Sequence, residues 1–231
     1  MRERTEVIAG LETTVIEPEK EATALVAFLH GYAMQPQDLA PFAHSLGTPA
    51  TFFFPQAPHR AEPSGYAWWN IDLDRRRAAL AEGPRDLADE YPCGREQMRT
   101  QLTQFIESMR SGRSHLPVVL AGFSQGGMAI CDLLTHGDVG VDGLALLSTS
   151  RLAFDEWQQG AHRLRDMRIL VSHGTMDDDL SFAAGERLRD WLLGLGAQVT
   201  WAPFDGTHQI PLLVWRRLRQ FLTNITVSHA S

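Results

Sequence analysis

The chain has few cysteines and no dense cluster of metal-ligating side chains, and both absences exclude classes of protein. Only Cys93 and Cys131 are present among 231 residues, widely spaced and outside any metal-ligand pattern. Both thiols are therefore predicted to be reduced and structural, and Cys131, on the helix-forming stretch 127–135, is predicted to pack inward. No spacing of His, Cys or carboxylates predicts a metal site.

The sequence also lacks a membrane-spanning segment and an excess of positive charge. No apolar run approaches the roughly 20 residues that cross a bilayer, and residues 1–6 lead into no apolar signal core. The formal net charge is -7 at pH 7, whereas phosphate binding needs clustered Lys and Arg. We therefore expect a cytoplasmic protein without stable membrane insertion and without nucleic acid as a partner.

Two short basic segments need separate interpretation. The three arginines at 75–77 are flanked by Asp72 and Asp74, a pattern most simply explained by a solvated face. The stretch 212–221 is a basic amphipathic sequence that could lie on a membrane, but the predicted fold needs a helix there, so packing against the sheet is expected.

What the chain has is 44% hydrophobic residues, enough for one α/β domain over 1–231. The predicted strands lie near 7–11, 13–16, 24–29, 50–54, 118–121, 143–147, 168–172 and 198–202, and the predicted helices near 38–46, 95–109, 127–135, 182–193 and 212–221. This alternation predicts a mostly parallel central sheet with helices on both faces, a three-layer sandwich. The first two strands are too close for a crossover and are predicted to form an antiparallel edge hairpin.

The most informative motif is Gly-Phe-Ser-Gln-Gly at 122–126, which follows an apolar run and precedes a helix-forming stretch. GxSxG in a strand–turn–helix setting is a nucleophile elbow. Gly122, Gly126 and Gly127 provide space where a Cβ would clash, and Ser124 lies at a helix N-terminus with unpaired N–H groups. The alternative is a tight connection whose serine only caps the helix.

A serine nucleophile needs a base, and an acid must orient that base. His208 follows the predicted strand 198–204 and precedes the last helix, so it lies on a loop at a strand end. Asp177 follows the buried run 169–172 and satisfies the chain order serine, carboxylate, histidine. Asp177 is therefore the predicted acid, with Asp178 and Asp179, which come directly after it, as alternatives. One of these two is expected to cap the helix that starts near 181.

Stabilisation of an oxyanion requires N–H donors from two places. The predicted strand 24–29 ends in His-Gly-Tyr-Ala at 30–33, and the loop after the third strand supplies one donor in this fold. We assign the oxyanion hole to the backbone N–H groups of Tyr32 and Gln125. His30 and His173, each followed by glycine, are predicted to be structural rather than catalytic bases.

Several motifs together resemble a known family. They are His-Gly at 30–31, Pro-Gln-Ala-Pro at 55–58, Trp69 with Ile71, Gly-Phe-Ser-Gln-Gly-Gly at 122–127, His-Gly at 173–174 with Asp177, and Gly206 with His208. The chain, from about 25 to 222, is similar to the phospholipase/carboxylesterase family of α/β-hydrolases, which includes acyl-protein thioesterases and small bacterial carboxylesterases. The resemblance implies an α/β-hydrolase fold and hydrolysis of esters or thioesters through an acyl-serine intermediate, without a cofactor.

The chain departs from the family pattern at the substrate-facing loops. Ala33 stands where the family usually has glycine, and Asn70 where it usually has aspartate. Residues 59–93 are interpreted as an insertion or local cap, through which substrate preference does not transfer. Tyr32, Trp68, Trp69 and Met176 are candidates for the substrate pocket or, equally, for core packing.

The sequence leaves alternatives for the function itself. A small-molecule ester is the expected substrate. A (lyso)phospholipase or peptidase activity on the same three residues is the nearest alternative, because the fold does not set the substrate. A non-catalytic ligand-binding α/β-hydrolase is a further alternative, and homodimer formation is left open.

Overall fold

One eight-stranded sheet organises the chain, whose residues 1–229 are described by a computed structural model. Ten strands are present: β1 (Arg2–Ile8), β2 (Leu11–Glu17), β3 (Ala24–Leu29), β4 (Ala50–Pro55), β5 (His59–Arg60), β6 (Tyr66–Ala67), β7 (Val118–Phe123), β8 (Gly143–Leu147), β9 (Arg168–Gly174) and β10 (Gln198–Phe204). The main sheet has the order β1-β2-β4-β3-β7-β8-β9-β10, and β5 pairs with β6 separately.

The sheet is mostly parallel, as predicted. Strands β4, β3, β7, β8, β9 and β10 pair in parallel, and only β1–β2 and β2–β4 are antiparallel. Every residue of β3, β4, β7 and β8 is buried, which is typical of parallel strands covered on both faces. These strands are short continuous apolar runs in the sequence, so the parallel core was predictable.

The predicted edge hairpin is present, but its strands begin earlier than predicted. Ala9 and Gly10 form the turn with φ values of 48° and 81°, and β1 pairs with β2 from Arg2 opposite Glu17 to Ile8 opposite Leu11. The expected strand at 7–11 therefore contains the turn. The sequence does not predict the first part of β1, because this strand is largely charged, none of its residues is buried and no apolar periodicity marks it.

Seven α-helices lie among the described residues: α1 (Ala40–Leu46), α2 (Leu73–Glu82), α3 (Arg95–Arg110), α4 (Gln125–His136), α5 (Phe154–Gly160), α6 (Phe182–Gly194) and α7 (Leu212–His229). Short 3-10 helices precede α1 and follow α5. The predicted helices are present, whereas α2 and α5 were not predicted. Helix α7 extends eight residues beyond its predicted end and packs on the sheet as expected.

Two apolar cores cover the two faces of the sheet. Alternate residues of β3 point to opposite faces, as the strand period requires. Leu25, Ala27 and Leu29 belong to the core under α3, α4, α5 and α6, and Ala24, Val26 and Phe28 belong to the core under α1 and α7. The sheet is therefore the middle layer of three, which confirms the predicted α/β-hydrolase sandwich.

The segment 59–93 adds small elements to these layers, and of its residues Trp68 and Trp69 belong to the core under α3–α6. It contains the β5–β6 hairpin and α2, whose N-cap Asp72 accepts hydrogen bonds from the N–H groups of Asp74 and Arg75. No residue of α2 is buried. This helix therefore adds no side chain to either core, which is why its sequence carries no strong amphipathic pattern.

The longest helices, α3 and α7, pack on the sheet with one face and expose the other face to solvent. Within residues 1–229, no helix combines the length and the apolar character that a membrane span requires.

Candidate active site

The carboxyl ends of three parallel strands, β7, β9 and β10, place the predicted catalytic residues at one edge of the sheet. Ser124 directly follows β7, Asp177 lies three residues after β9, and His208 lies four residues after β10. Ligands of α/β sheets bind at this edge. The strand order therefore brings together side chains that are far apart in the sequence.

Ser124 occupies a strained turn between β7 and α4. Its φ of 52° and ψ of -118° are unusual for a residue with a side chain. A Cβ at Gly126 would overlap the carbonyl oxygen of Leu29, so glycine is required where α4 passes β3. The Ser124 side chain makes no hydrogen bond to another described residue and lines a cavity.

Asp177 and His208 form a direct hydrogen-bonded pair. His208 Nδ1 lies 2.7 Å from Asp177 Oδ2, and Asp177 Oδ1 accepts hydrogen bonds from the N–H groups of Asp179 and Leu180 at 3.0 and 2.8 Å. Burial raises the pKa of Asp177, but the histidine and N–H donors outweigh it and hold that pKa well below its usual range. Asp177 is therefore a carboxylate that fixes the proton of His208 on Nδ1 and leaves a lone pair on Nε2.

His173 is a second partner of the same carboxylate. Its Nε2 lies 3.0 Å from the Leu180 carbonyl oxygen and 3.3 Å from Asp177 Oδ2, and its side chain is fully buried. Since both neighbours are acceptors, the proton of His173 belongs on Nε2. A Cβ at Gly185 of α6 would overlap the His173 ring. His173 therefore connects the Asp177 carboxylate to the backbone at Leu180, which supports its predicted structural role.

The two predicted oxyanion donors face no competing acceptor. Among residues 1–229, the backbone N–H groups of Tyr32 and Gln125 donate no hydrogen bond. Ala33 has a φ of 61°, which explains why glycine would suit this position. Its N–H donates to the Tyr66 carbonyl oxygen at 2.9 Å, so β6 fixes the loop despite the alanine.

Buried polar contacts hold this loop against the elbow. The Ala57 N–H donates to His30 Nε2 at 3.1 Å, and His30 Nδ1 lies 2.7 Å from the Gly31 carbonyl oxygen. Burial lowers the pKa of His30 to about 4. The Gln125 side chain accepts from the Trp68 N–H and donates to the Trp69 carbonyl oxygen, both at 2.9 Å. A neutral His30 and the Gln125 amide thus connect the loops around the elbow.

A cavity of about 1180 Å³ opens over Ser124, Gln125 and His208. One group of lining residues is apolar and precedes or belongs to α1 and α7: Met34, Leu39, Phe42, Ile210 and Trp215. A second group belongs to the segment 69–93 and includes Trp69, Ile71 and the α2 residues Arg75, Arg76 and Ala79. The cavity lining therefore combines apolar and charged groups.

Two of the four predicted pocket residues lie in this cavity and two do not. Tyr32 and Trp69 line it. Trp68 follows the alternative of core packing: its ring is buried and its Nε1 donates to the His30 carbonyl oxygen at 2.9 Å. Met176 is 62% exposed on the loop before Asp177 and is not among the residues that line the cavity.

Three further predictions about polar residues need correction. Ser181, not Asp178 or Asp179, caps α6 by accepting from the Ala184 N–H. Arg76 does not belong to a solvated face, because its guanidinium pairs with Asp179 at 2.5 Å. The third is the structural role predicted for Cys93, which is instead exposed at the cavity wall. Cys131 is buried, as predicted. The Arg76–Asp179 pair spans 103 positions, a separation that no local sequence pattern marks.

One group of candidate metal ligands exists outside the cavity. Asp132, His136 and Glu156 offer ligand atoms within 4.8 Å of one another, a cluster hidden in the sequence because Glu156 belongs to another helix. Arg95 and Arg99 donate to the two Asp132 oxygens at 2.9 and 2.7 Å. These guanidinium groups occupy the carboxylate positions that a cation would need, so the group is an ion-pair network.

The fold and the edge-of-sheet site together define an α/β-hydrolase, and solved structures share this architecture. Esterase PE8 has 24% sequence identity and a TM-score of 0.77, with 93% of this chain and 99% of that chain covered. An acyl-protein thioesterase 2 from Zea mays has 20% identity and a TM-score of 0.74 over 93% and 98% of the two chains. A carboxylesterase from Bacillus cereus has 16% identity and a TM-score of 0.70 over 93% and 94%.

Residues 11–226 match the model of the phospholipase/carboxylesterase family. The chain belongs to this family of hydrolases, as the motifs in its sequence predicted.

Proposed function

We propose that the protein is a serine carboxylesterase that hydrolyses carboxylic esters or thioesters through an acyl-serine intermediate on Ser124. The observation that carries the proposal is the 2.7 Å contact between Asp177 Oδ2 and His208 Nδ1, on a histidine that lines the same cavity as Ser124. Membership of the phospholipase/carboxylesterase family supports this assignment.

In the proposed acylation step, His208 Nε2 accepts the Ser124 proton as the serine oxygen attacks the ester carbonyl carbon. The unengaged N–H groups of Tyr32 and Gln125 stabilise the oxyanion of the tetrahedral intermediate. Asp177 stabilises the imidazolium without itself taking the proton. The intermediate then collapses, and His208 donates its proton to the departing alcohol or thiol.

Deacylation repeats these roles with water as the nucleophile. His208 removes a proton from water as it attacks the acyl-serine carbonyl carbon, the Ser124–acyl bond breaks, and the proton passes to the Ser124 oxygen. The products are a carboxylic acid and the free enzyme. Every proton in the cycle passes through His208, so no cofactor is needed.

The charges of the cavity favour a neutral ester. Each arginine in the cavity wall already pairs with a carboxylate: Arg75 with Glu90, and both Arg76 and Arg85 with Asp179. Seven carboxylates and three arginines line the cavity in all. Because no unpaired guanidinium faces the ligand in the described cavity wall, anionic leaving groups such as CoA thiols or acidic phospholipid headgroups should be disfavoured. Tyr32 and Trp69 are proposed to contact the neutral substrate.

The test is hydrolysis of p-nitrophenyl esters from acetate to palmitate by the wild type, Ser124→Ala and the control Ser114→Ala. Ser114 is exposed on the loop before β7, at the opposite end of that strand from the elbow. We expect Ser124→Ala to lose about 10⁴-fold or more in kcat, because loss of a nucleophile removes the whole covalent route. Ser114→Ala should match the wild type, and the melting temperatures of both variants should show retained folding.

Each other outcome would contradict the proposal in a different way. Equal activity of the wild type and Ser124→Ala would remove Ser124 as the nucleophile. A folded wild type inactive on every ester would favour the non-catalytic binding alternative. Parallel assays with an amide, a zwitterionic lysophospholipid and a thioester would separate the peptidase, phospholipase and thioesterase alternatives from the carboxylesterase.

A further inference from the structure

Helix α2 forms part of the cavity wall but is not attached to a core. Its residues Arg75, Arg76, Ala79 and Glu82 line the cavity, yet no residue of the helix is buried. Apolar burial therefore contributes little to its position. Its position must instead depend on polar contacts that reach from α2 to the rest of the molecule.

The strongest of these contacts converge on Asp179, two residues beyond Asp177. Its Oδ2 accepts from Arg76 of α2 at 2.5 Å, and its Oδ1 accepts from Arg85. Burial raises the pKa of Asp179, but the two guanidinium groups outweigh it and lower that pKa below its usual value. The Asp179 carboxylate is 18% exposed, so these are shielded ion pairs rather than surface ones.

The backbone at Arg85 joins the same group to the loop of Asp177. The Arg85 N–H donates to the Asp179 carbonyl oxygen at 2.9 Å, and the Ser181 N–H donates to the Arg85 carbonyl oxygen at 2.8 Å. Residue 85 is therefore fixed by backbone hydrogen bonds that do not involve its side chain. Arg76 has no such backbone support, so its link to Asp179 depends on the side chain. The Arg75–Glu90 pair also joins α2 to the rest of the molecule, but it is more exposed than the Arg76–Asp179 pair.

Arg76 also approaches Tyr32, which lines the same cavity. Its guanidinium carbon lies 5.8 Å from the centre of the Tyr32 ring, within the range of a cation–π contact. Tyr32 belongs to the loop proposed to supply an oxyanion donor. A single side chain of α2 thus lies between that loop and the loop of Asp177.

We propose that Asp179 is a specificity-determining residue, which holds α2 in place as a cavity wall and so sets the selectivity among ester substrates by size. The proposal rests on the proposed esterase function of the same cavity. Asp179→Asn removes the charge that holds Arg76 but keeps the backbone N–H that Asp179 donates to Asp177. Its effect should therefore fall on the binding of long substrates, which reach α2, and on KM rather than kcat.

Neighbouring Asp178 provides a matched control, because it lies in the same loop, is exposed and forms no ion pair with a described residue. Arg76→Gln is a second variant that frees α2 and leaves the Arg85–Asp179 pair intact. The variants to compare are therefore Asp179→Asn, Arg76→Gln and Asp178→Asn, each checked by its melting temperature.

The first readout is limited digestion by trypsin, which needs no enzymatic activity. The arginines at 75–77 are trypsin sites inside α2, and cleavage requires local opening of the helix. We expect Asp179→Asn to be cut within α2 about fivefold faster than the wild type, as expected when an anchoring contact is lost. Arg76→Gln lacks one of the three sites, so for this variant the faster cleavage is expected after Arg75 and Arg77. Asp178→Asn should be cut at the wild-type rate, and equal rates in all four proteins would overturn the proposal.

The second readout is KM and kcat for two series of esters, one varied in the acyl chain and one in the alcohol. We expect the selectivity for the longest over the shortest ester to fall about fivefold in one series, through a rise in KM. The reason is that a long acyl or alcohol group is no longer buried against α2 when the helix is released. Asp178→Asn should keep the wild-type selectivity. Unchanged selectivity in both series would overturn the proposal, even if α2 opens.

These outcomes separate failure of the inference from failure of the proposed function. An active wild type with unchanged variants would refute only the role of Asp179. A folded wild type inactive on both series would refute the esterase function and with it any role in ester selectivity. Combining Asp179→Asn with Arg76→Gln should have no larger effect on α2 than Asp179→Asn alone, because both changes remove the Arg76–Asp179 contact.

Discussion

At the scale of the residue, three histidines around the elbow differ in the nitrogen that their surroundings engage. His208 presents Nδ1 to Asp177, His173 presents Nε2 to two acceptors, and His30 accepts the Ala57 N–H on Nε2. A histidine tautomer follows the hydrogen bond that the ring makes. Only His208 among these three lines the cavity, so one is available for proton transfer while two hold loops.

His30 should make the stability of the protein depend on pH. Its pKa is lowered to about 4 when folded, whereas the unfolded chain binds the proton below about 6.5. The unfolded state therefore binds more protons between these values, and the free energy of unfolding should fall by up to about 3 kcal/mol as the pH drops from 6.5 to 4. Urea titrations at pH 4, 5 and 6.5 would measure this loss.

His30→Gln is the comparison, because glutamine can accept the Ala57 N–H without titrating. The difference in unfolding free energy between the two proteins should change with pH across this interval. Parallel pH curves for wild type and variant would contradict the assignment of the effect to His30.

Much of the candidate site could be predicted at this scale from chain order and local motifs. Ser124, Asp177 and His208 each follow an apolar run, and residues after parallel strands meet at one sheet edge. The contact between Asp179 and Arg76 could not be predicted, because it joins segments with no common pattern. Trp68 and Trp69 could not be distinguished either, since adjacent residues of one type point to different sides.

At the scale of the element, α4 carries the first half of the site. It begins directly after the strained Ser124 and is buried over all but its last residue. It crosses β3 so closely that a side chain at Gly126 would overlap backbone atoms. The positions of the predicted nucleophile and of one oxyanion donor therefore depend on a contact between a helix and a strand.

Gly126→Ala should displace α4 from β3. We expect a loss of about 1–3 kcal/mol in unfolding free energy from the overpacking, and a fall of about 10²-fold in kcat from misplaced catalytic groups. Esterase kinetics and urea unfolding measure the two effects. Gly137→Ala, at the end of α4, places its Cβ 3.5 Å from the nearest atom and should change neither; a similar loss there would argue against the close approach as the cause.

Which elements were predictable follows from their burial. Strands such as β7 and β8 are continuous apolar runs because both of their faces are covered. Helix α2 contributes nothing to a core, and α5 has only seven residues, so neither shows enough amphipathic periodicity to be detected. The interpretation of 59–93 as an insertion predicted that this region differs, but not that a helix forms the cavity wall.

At the scale of the whole molecule, one buried carboxylate connects three helices on the same face of the sheet. Asp132 of α4 is fully buried and accepts from Arg95 and Arg99 of α3 and from Trp157 Nε1 of α5. Arg95 also pairs with Glu156 of α5. A single charge therefore joins α3 and α5 to the elbow helix, in addition to the apolar core that the three helices share.

Asp132→Ala should destabilise the protein by about 3–5 kcal/mol, because it leaves Arg99 without a carboxylate and Arg95 with Glu156 alone. Urea unfolding measures this change. Asp138→Ala removes an exposed carboxylate shortly after the same helix and should cost less than about 0.5 kcal/mol. A loss below about 1 kcal/mol for Asp132→Ala would show that the network can be dispensed with.

The two outer strands of the sheet have a consequence for association between copies. An open sheet edge presents backbone groups that can pair with another chain. Four of the seven residues of β1 are charged, so a second sheet approaching this edge would have to remove water from those charges. At the far edge, Pro203 of β10 has no N–H to donate. Growth of the sheet from one molecule into the next is therefore disfavoured at both ends.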